Sequence, residues 1–352
     1  MAKKDETRAP RALYREYRPS VFSEVEGQEQ VTSVLEAAIK KNELAHAYLF
    51  AGGRGTGKTS MARILARAAG TADEDIYEMD AASNRGIDEI RELRDGVATL
   101  PFNSRYKFYI IDEAHALTKD AWGAFLKTLE EPPAHVIFVL ATTELDRVPD
   151  TILSRCQVFR FEKPSRETLK KLVIQVAKKE GATIAPAGAE LVALMGNGSF
   201  RDTLGILQKV LTVSTDNKLT EEEVAKVVGA PRAQMVHDFL DALAGKKIDQ
   251  ALEVLQGALQ SGIDPKLFLL IVLNTVRSVL LLRFAPKTEA TFLEQYGAEE
   301  LTHLKNLAGP EGVAVNSTLL SELITAYVEM NRAPEPSIPL ELALYRALGV
   351  AS

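Results

Sequence analysis

The chain has 352 residues, 46% hydrophobic and 26% charged, and its 42 Lys and Arg against 48 Asp and Glu give a net charge of −6. These values exclude a wholly disordered chain, a collagen-like fibre and a globally basic nucleic-acid coat, while leaving room for a local basic patch. Cys156 is the one cysteine, which excludes an internal disulfide and a cysteine zinc cage and points to a reducing compartment.

Met1–Arg11 is polar and charged with no apolar core, so no secretory signal is expected there. Up to about Phe161, helical patterns alternate with short apolar runs at Ala47–Ala51, Ile76–Asp80, Lys107–Ile111, Val136–Ala141 and Gln157–Phe161. Short β-branched or aromatic runs spaced by helical segments predict parallel βαβ units, with a sheet covered on both faces. After Pro164 the strand signal vanishes. Arg166–Lys179, Ala187–Met195 and Ser199–Thr212 read as helices broken at Gly181 and Gly196–Gly198, and Leu219–Val228 as a fourth. Beyond Pro231 the pattern is helical to Leu348. The expected division is an α/β domain over residues 1–163, a small helical domain over 164–230 and an all-α domain over 231–352. Leu267–Phe284 is the most membrane-like stretch, but it carries Asn274, Thr275, Arg277, Ser278 and Arg283. An arginine near the middle of a span is costly, so a buried bundle helix, no membrane and a cytoplasmic protein are expected.

The chemistry concentrates at two places in the first domain. Gly52, Gly53, Arg54, Gly55, Thr56, Gly57, Lys58 and Thr59 fit G-x4-G-K-[ST] between a predicted strand and a predicted helix. Glycines let the backbone N–H groups face phosphate oxygens, and the helix N-terminus adds positive potential. Lys58 is expected to reach the β and γ phosphates of a bound nucleotide and Thr59 to supply a hydroxyl to Mg²⁺. The second place is Phe108–Glu113, an apolar strand ending in two acids. Asp112 is the expected Mg²⁺ partner and Glu113 the base that orients and deprotonates the attacking water. A solvated acidic strand end is common by itself; the upstream glycine-rich loop makes the functional reading preferred. His115 is given a loop hydrogen bond rather than a catalytic role.

Arg155 precedes the last predicted strand, and Arg201 lies in the first turn of a helix that Ser199 and Asp202 are placed to cap. A cation there opposes the helix dipole, which suggests a compensating anion such as a nucleotide phosphate. Taken alone, a surface salt bridge is the better reading of either arginine.

Tyr14–Pro19, Val25–Gln28, Gly52–Thr59, Asp80–Ser83, Leu126–Pro133, Ala141–Thr143 and Ile152–Cys156 follow one another in an order that resembles the bacterial DNA polymerase III gamma/tau family, the ATPase of the sliding-clamp loader. The likeness runs from about Tyr14 to Val228 and more weakly through the last helices. It implies an AAA+ fold with a lid and a helical collar that assembles a ring or spiral. It puts Lys58, Thr59, Asp112 and Glu113 in the ATP site, Thr143 at the sensor 1 position, and Arg201 at the sensor 2 position of the lid. Arg155 becomes an arginine finger acting in trans, and Tyr14, Arg15, Arg18 and Pro19 fall near the adenine. The implied partners are further gamma copies, delta and delta-prime subunits, the sliding clamp and primer–template DNA. Arg91 and Lys127 match basic DNA-facing positions, with Arg85 nearby; an ordinary solvated face is an equal reading of all three. Pro101 and Phe102 are a guess at the clamp contact.

The family's usual four-cysteine zinc module is replaced here by Gly70–Asp75, so no zinc is expected. The chain stops soon after the collar-like helices, which suggests the short gamma form. No paired-carboxylate polymerase site apart from Asp112 and Glu113 is visible. Two other readings stay open: another AAA+ DNA motor, such as a replication factor C-like subunit or a branch-migration helicase, and a non-catalytic clamp-loader scaffold.

Overall fold

The computed structural model describes residues 12–214, 216–285 and 298–349. The expectations for Met1–Arg11 and for residues 286–297 lie outside the described residues. The chain divides into two compact units, residues 1–172 with 196–205, and residues 173–195 with 206–352.

The first unit runs through α1 (Leu13–Glu16), α2 (Glu29–Lys41), β1 (Ala47–Gly52), α3 (Lys58–Ala68), β2 (Ile76–Asp80), α4 (Ile87–Val97), β3 (Lys107–Asp112), α5 (Lys119–Glu130), β4 (Val136–Thr142), the short α6 (Asp150–Leu153) and β5 (Gln157–Phe161). All five expected runs are strands, and β1, β3 and β4 extend one residue further. The sheet is parallel throughout, in the order β2-β3-β4-β1-β5. The inner strands β1, β3 and β4 are buried almost residue for residue, which is why their sequences are continuously apolar; the edge strands β2 and β5 expose most of their residues.

Strand alternation sends successive side chains to two cores. Tyr48, Phe50, Phe108, Ile110 and Val139 pack with Leu35 and Leu65 of α2 and α3. Leu49, Tyr109, Ile111, Phe138 and Leu140 pack with Ile90 of α4 and with Trp122 and Phe125 of α5. Lys107 opens β3 as a buried cation. Its Nζ donates to the Gly96 carbonyl at 2.9 Å and to Thr99 Oγ1 at 2.8 Å, and lies 4.7 Å from the Tyr77 ring centre. The charge thus closes the carboxyl end of α4, where a cation is favoured. Because every strand is parallel, the carboxyl ends of β1, β3 and β4 emerge along one edge, and β1 beside β4 is where the strand order reverses. Ligands of open α/β sheets bind at such a switch point.

Beyond Pro164 come α7 (Arg166–Lys179), β6 (Thr183–Ile184), α8 (Pro186–Met195), α9 (Phe200–Val213), β7 (Lys218–Leu219) and α10 (Glu221–Val228). Strands do occur here, contrary to expectation: β6 and β7 form a parallel pair. With two residues each they show no alternation to read; Thr183 N–H to the Asn217 carbonyl at 2.8 Å and Ala185 N–H to the Leu219 carbonyl at 3.0 Å hold them. A reciprocal cap between Thr220 and Glu223 then starts α10.

The described residues beyond this point form α11 (Ala233–Ala244), α12 (Ile248–Gln260), α13 (Pro265–Phe284), α14 (Ala298–Ala308), α15 (Ser317–Glu329) and α16 (Ile338–Leu348). Their shared core includes Phe239, Leu255, Phe268, Val272, Val276, Leu304, Leu323 and Leu344. Among the described residues α13 alone is long and apolar enough to cross a membrane. It runs through this core instead, as expected of a bundle helix. At its end Arg283 donates to the carbonyls of Leu307, Ala308, Gly312 and Val315 at 2.7–2.9 Å. The guanidinium thereby satisfies carbonyls that the end of α14 and the following turn leave open.

Candidate nucleotide-binding site

The turn from β1 to α3 is built by positive φ. Gly55 sits at +72° and Gly57, the N-cap of α3, at +103°, values that L side chains rarely adopt. A Cβ on Gly55 would also collide with Ser199 Oγ, because the start of α9 lies against the loop. Phe200 N–H donates to the Gly55 carbonyl at 3.0 Å. Thr56, buried, closes the loop from inside through Oγ1 to the Gly53 carbonyl at 2.9 Å, while Arg54 points to solvent.

Lys58 is 6% exposed. Its Nζ folds back on the carbonyls of Gly52 and Gly53, both at 2.8 Å. Burial lowers its pKa, the carboxylates of Glu113 and Asp112 oppose the shift, and the charge of Arg201 adds to it. Thr59 Oγ1 donates to Asp112 Oδ2 at 2.7 Å across the β1–β3 gap. A hydroxyl and a carboxylate side by side are oxygen-only donors, the set that a hard cation such as Mg²⁺ takes. Glu113 has φ +48°, a left-handed conformation that costs a non-glycine residue about 1–3 kcal/mol. That turn puts Glu113 Oε2 where Thr143 Oγ1, just past β4, donates to it at 3.1 Å. His115 makes the expected loop contact, Nδ1 to Thr142 Oγ1 at 3.0 Å, and its Nε2 lies 3.3 Å from Glu144 Oε1. A cleft of about 520 Å³ opens beside these residues, lined among others by Gly52, Gly53, Thr143, Arg147 and Arg160.

Arg201 completes the cationic side, with its guanidinium 5.9 Å from the Tyr14 ring centre. Only half of the expected cap reciprocates: Ser199 Oγ accepts from Asp202 N–H at 3.2 Å, while Ser199 N–H goes to the Gly196 carbonyl at 2.9 Å. Arg18 also belongs to this group. Its Nε donates to Ser60 Oγ in the first turn of α3 at 2.8 Å, and burial, then the neighbouring Arg63 charge, lowers its pKa. No spacing rule links residues 18 and 60, so the sequence placed Arg18 only loosely.

Arg155 stands apart from the other site residues. It lies just before β5, whereas the glycine-rich loop follows the carboxyl end of β1. Gly52 pairs with Phe161 and Tyr48 with Gln157. Four strand steps of ~3.3 Å therefore separate Arg155 from its own loop by roughly 13 Å or more. Its side chain is 34% exposed and paired with Glu130. Cys156 is half-buried and unpaired, and burial pushes its thiol pKa up to about 12, as suits a packed side chain with no nucleophilic role. Arg85, Arg91 and Lys127 are exposed on and before the packed pair α4 and α5; Arg91 is bound to Asp88 at 2.9 Å. Among the described residues no three His, Cys, Asp or Glu side chains gather as a metal ligand set.

The family model for the delta subunit of DNA polymerase III matches residues 27–84 and 69–165, and that for domain III of DNA polymerase III subunits gamma and tau matches residues 219–352. The gamma/tau subunit of Mycobacterium tuberculosis is 35% identical over 96% of this chain and the tau subunit of Bacillus subtilis 36% over 95%. This chain belongs to the DNA polymerase III gamma/tau family. The tau subunit of Escherichia coli is 30% identical over 96% of the chain. The chain spans 62% of the length of the mycobacterial and Bacillus relatives and 55% of the Escherichia coli one. Among solved structures, the Thermotoga maritima RuvB Holliday junction branch migration motor superposes with a TM-score of 0.52 at 22% identity, over 71% of this chain and 86% of that one. That likeness shows the fold alone; with the parallel five-stranded sheet and the helices after it, it fits an AAA+ α/β domain followed by an all-helical one.

Proposed function

We propose that this gamma/tau family member is the ATPase of a bacterial clamp loader, which binds and hydrolyses ATP at subunit interfaces to place a sliding clamp on primed DNA. The observation that carries the reading is the meeting of Thr59 with Asp112 and of Thr143 with Glu113 at the carboxyl edge of β1, β3 and β4. The loop N–H groups and Lys58 hold the triphosphate, with Lys58 exchanging its two carbonyl partners for phosphate oxygens. Thr59 and Asp112 hold Mg²⁺, which when bound neutralises phosphate charge. Glu113 orients and deprotonates the attacking water, Thr143 reports the γ-phosphate by its bond to Glu113, and Arg201 brings the start of α9 onto the phosphates. Arg155 acts on a neighbour's ATP: it is half-exposed and lies at the opposite edge of the sheet from its own loop, as suits a group serving another protomer.

The division into an ATPase domain over 1–163, a lid over 164–230 and an oligomerising collar over 231–352 is part of this proposal. An apolar face on α15 and α16, with Ile324, Val328, Leu342 and Tyr345 exposed, supports collar contacts with further copies and with delta and delta-prime subunits. Pro101 and Phe102 are assigned to the clamp contact, with Phe102 and the neighbouring Leu100 81% and 78% exposed. Asp75 fixes that loop by accepting Phe102 N–H at 2.6 Å and Asn103 N–H at 2.9 Å. Arg85, Arg91 and Lys127 are assigned to DNA phosphates. A bacterial replication factor of this kind works in the cytoplasm. The deciding experiment is clamp loading on primed DNA by the complete assembly, with ATP and with a non-hydrolysable analogue. Loading and release with ATP, and retention with the analogue, are expected. DNA unwinding without any clamp indicates a different motor, and absence of ATPase activity in the complete assembly indicates a scaffold.

A further inference from the structure

Glu130 is the last residue of α5, and its Oε1 accepts from Arg155 Nη2 at 2.9 Å across 25 residues of sequence. The other terminal nitrogen, Nη1, donates to the Thr151 carbonyl in α6 at 2.7 Å and approaches Ser154 Oγ at 3.4 Å. Two acceptors on two different nitrogens fix both the direction and the plane of the guanidinium. Nε–H and the second Nη2 hydrogen keep no acceptor among the described residues. Neither side chain is deeply buried, at 34% and 45% exposure. In such a place an ion pair adds little to stability.

We propose that Glu130 is the positioning residue of the arginine finger: it holds the Arg155 guanidinium in the orientation that a neighbouring protomer's triphosphate meets. This rests on the reading of Arg155 as acting in trans. An unrestrained arginine spreads over many rotamers and must give up that side-chain entropy to act. A finger already ordered on its own surface has given up most of that before the subunits dock, and phosphoryl transfer depends chiefly on such prior placement of charge. The carboxylate also partly neutralises the finger. What Glu130 contributes to catalysis is therefore geometry, with its charge working against the effect. A side chain that accepts the same hydrogen bond without charge should serve, and one that keeps the charge but shortens the reach should not.

The test is steady-state ATP turnover by the assembly reconstituted with its partner subunits, clamp and primed DNA. Glu130→Ala should lower kcat about tenfold with KM for ATP within about twofold, as loss of placement without loss of binding requires. Glu130→Gln should stay close to wild type, and Glu130→Asp should fall with the alanine variant. Arg155→Ala should lower kcat further, and the Glu130→Ala/Arg155→Ala double variant should be no slower than Arg155→Ala alone, because the two act as one unit. Thermal unfolding of each variant separates misfolding from misplacement; the Gln and Asp variants decide the question if the Ala variant unfolds. Wild-type kcat in Glu130→Ala beside a slow Arg155→Ala reduces the contact to a surface ion pair and overturns the proposal. So does a functional Glu130→Asp beside a slow Glu130→Gln, or a double variant slower than Arg155→Ala. Wild-type turnover in Arg155→Ala removes the trans finger itself, and the proposal with it.

Discussion

Gly55→Ala tests whether the glycine-rich loop and the start of α9 are built against each other. An alanine at φ +72° pays roughly 1–2 kcal/mol for a left-handed backbone. Its Cβ also meets Ser199, whose Oγ can swing away but whose Cβ would stand only 3.1 Å off. Overpacking of that kind costs about 1–3 kcal/mol. The sum, roughly 2–5 kcal/mol, should lower the unfolding midpoint by about 4–20 °C in a unit of this size. If half of it falls on the loop shape that binds phosphate, the affinity for a fluorescent ATP analogue should drop about 5- to 60-fold. Ser199→Gly removes the collision but not the φ strain, and glycine costs a helix N-cap only a few tenths of a kcal/mol. Gly55→Ala/Ser199→Gly should therefore unfold above Gly55→Ala and below wild type. A Gly55→Ala protein that melts within about 1 °C of wild type, or a double variant no better than the single, refutes the packing argument.

Arg201→Ala should raise KM for ATP about tenfold and barely move the unfolding midpoint, since an exposed cation–π contact is worth only ~0.5–1 kcal/mol; turnover and calorimetry separate the two. Asp75 is disfavoured as an anion by burial, yet the Phe102 and Asn103 N–H groups outweigh this and hold its pKa below the ordinary value. The stability it contributes is present above pH ~4 and lost as pH falls through the lowered folded value. Asp75→Asn at neutral pH should accordingly speed hydrogen exchange at Phe102 and Asn103 by about tenfold or more while the sheet core stays protected. At the other end, burial pushes both Cys156 and Tyr109 up to about 12, from ordinary values of 9.0 and 10.0. Both favour the folded state below those ordinary values and withdraw that support as pH rises toward 12. The unfolding midpoint should slide through this alkaline window, and Cys156→Ala should flatten its lower part.

The three inner strands of the sheet were legible because each is buried on both faces and so carries an apolar run; the edge strands β2 and β5 were legible as short runs set between helical patterns. The glycine-rich loop, Asp112 and Glu113 were legible because phosphate chemistry dictates residue types at short fixed spacings. The pair of strands around Ile184 and Leu219 was not, since two residues carry no period. Arg18 on Ser60 and Glu130 on Arg155 were invisible for a different reason. Each joins segments 42 and 25 residues apart through one hydrogen bond, and only the folded topology brings those segments together. Lys107 is a third case: the strand run showed that it opens β3, but not that its charge closes the open end of α4.

Sharing of the ATP site between protomers is tested most directly by mixing two disabled variants. Lys58→Met protomers keep Arg155 but cannot hold the triphosphate; Arg155→Ala protomers hold it but offer no finger. Assemblies made wholly of either variant should hydrolyse ATP at background rates with clamp and primed DNA present. Mixed assemblies should recover turnover in proportion to the interfaces that join an intact loop to an intact finger. Mixtures no faster than either parent, with assembly verified by mass, contradict a site completed across the interface.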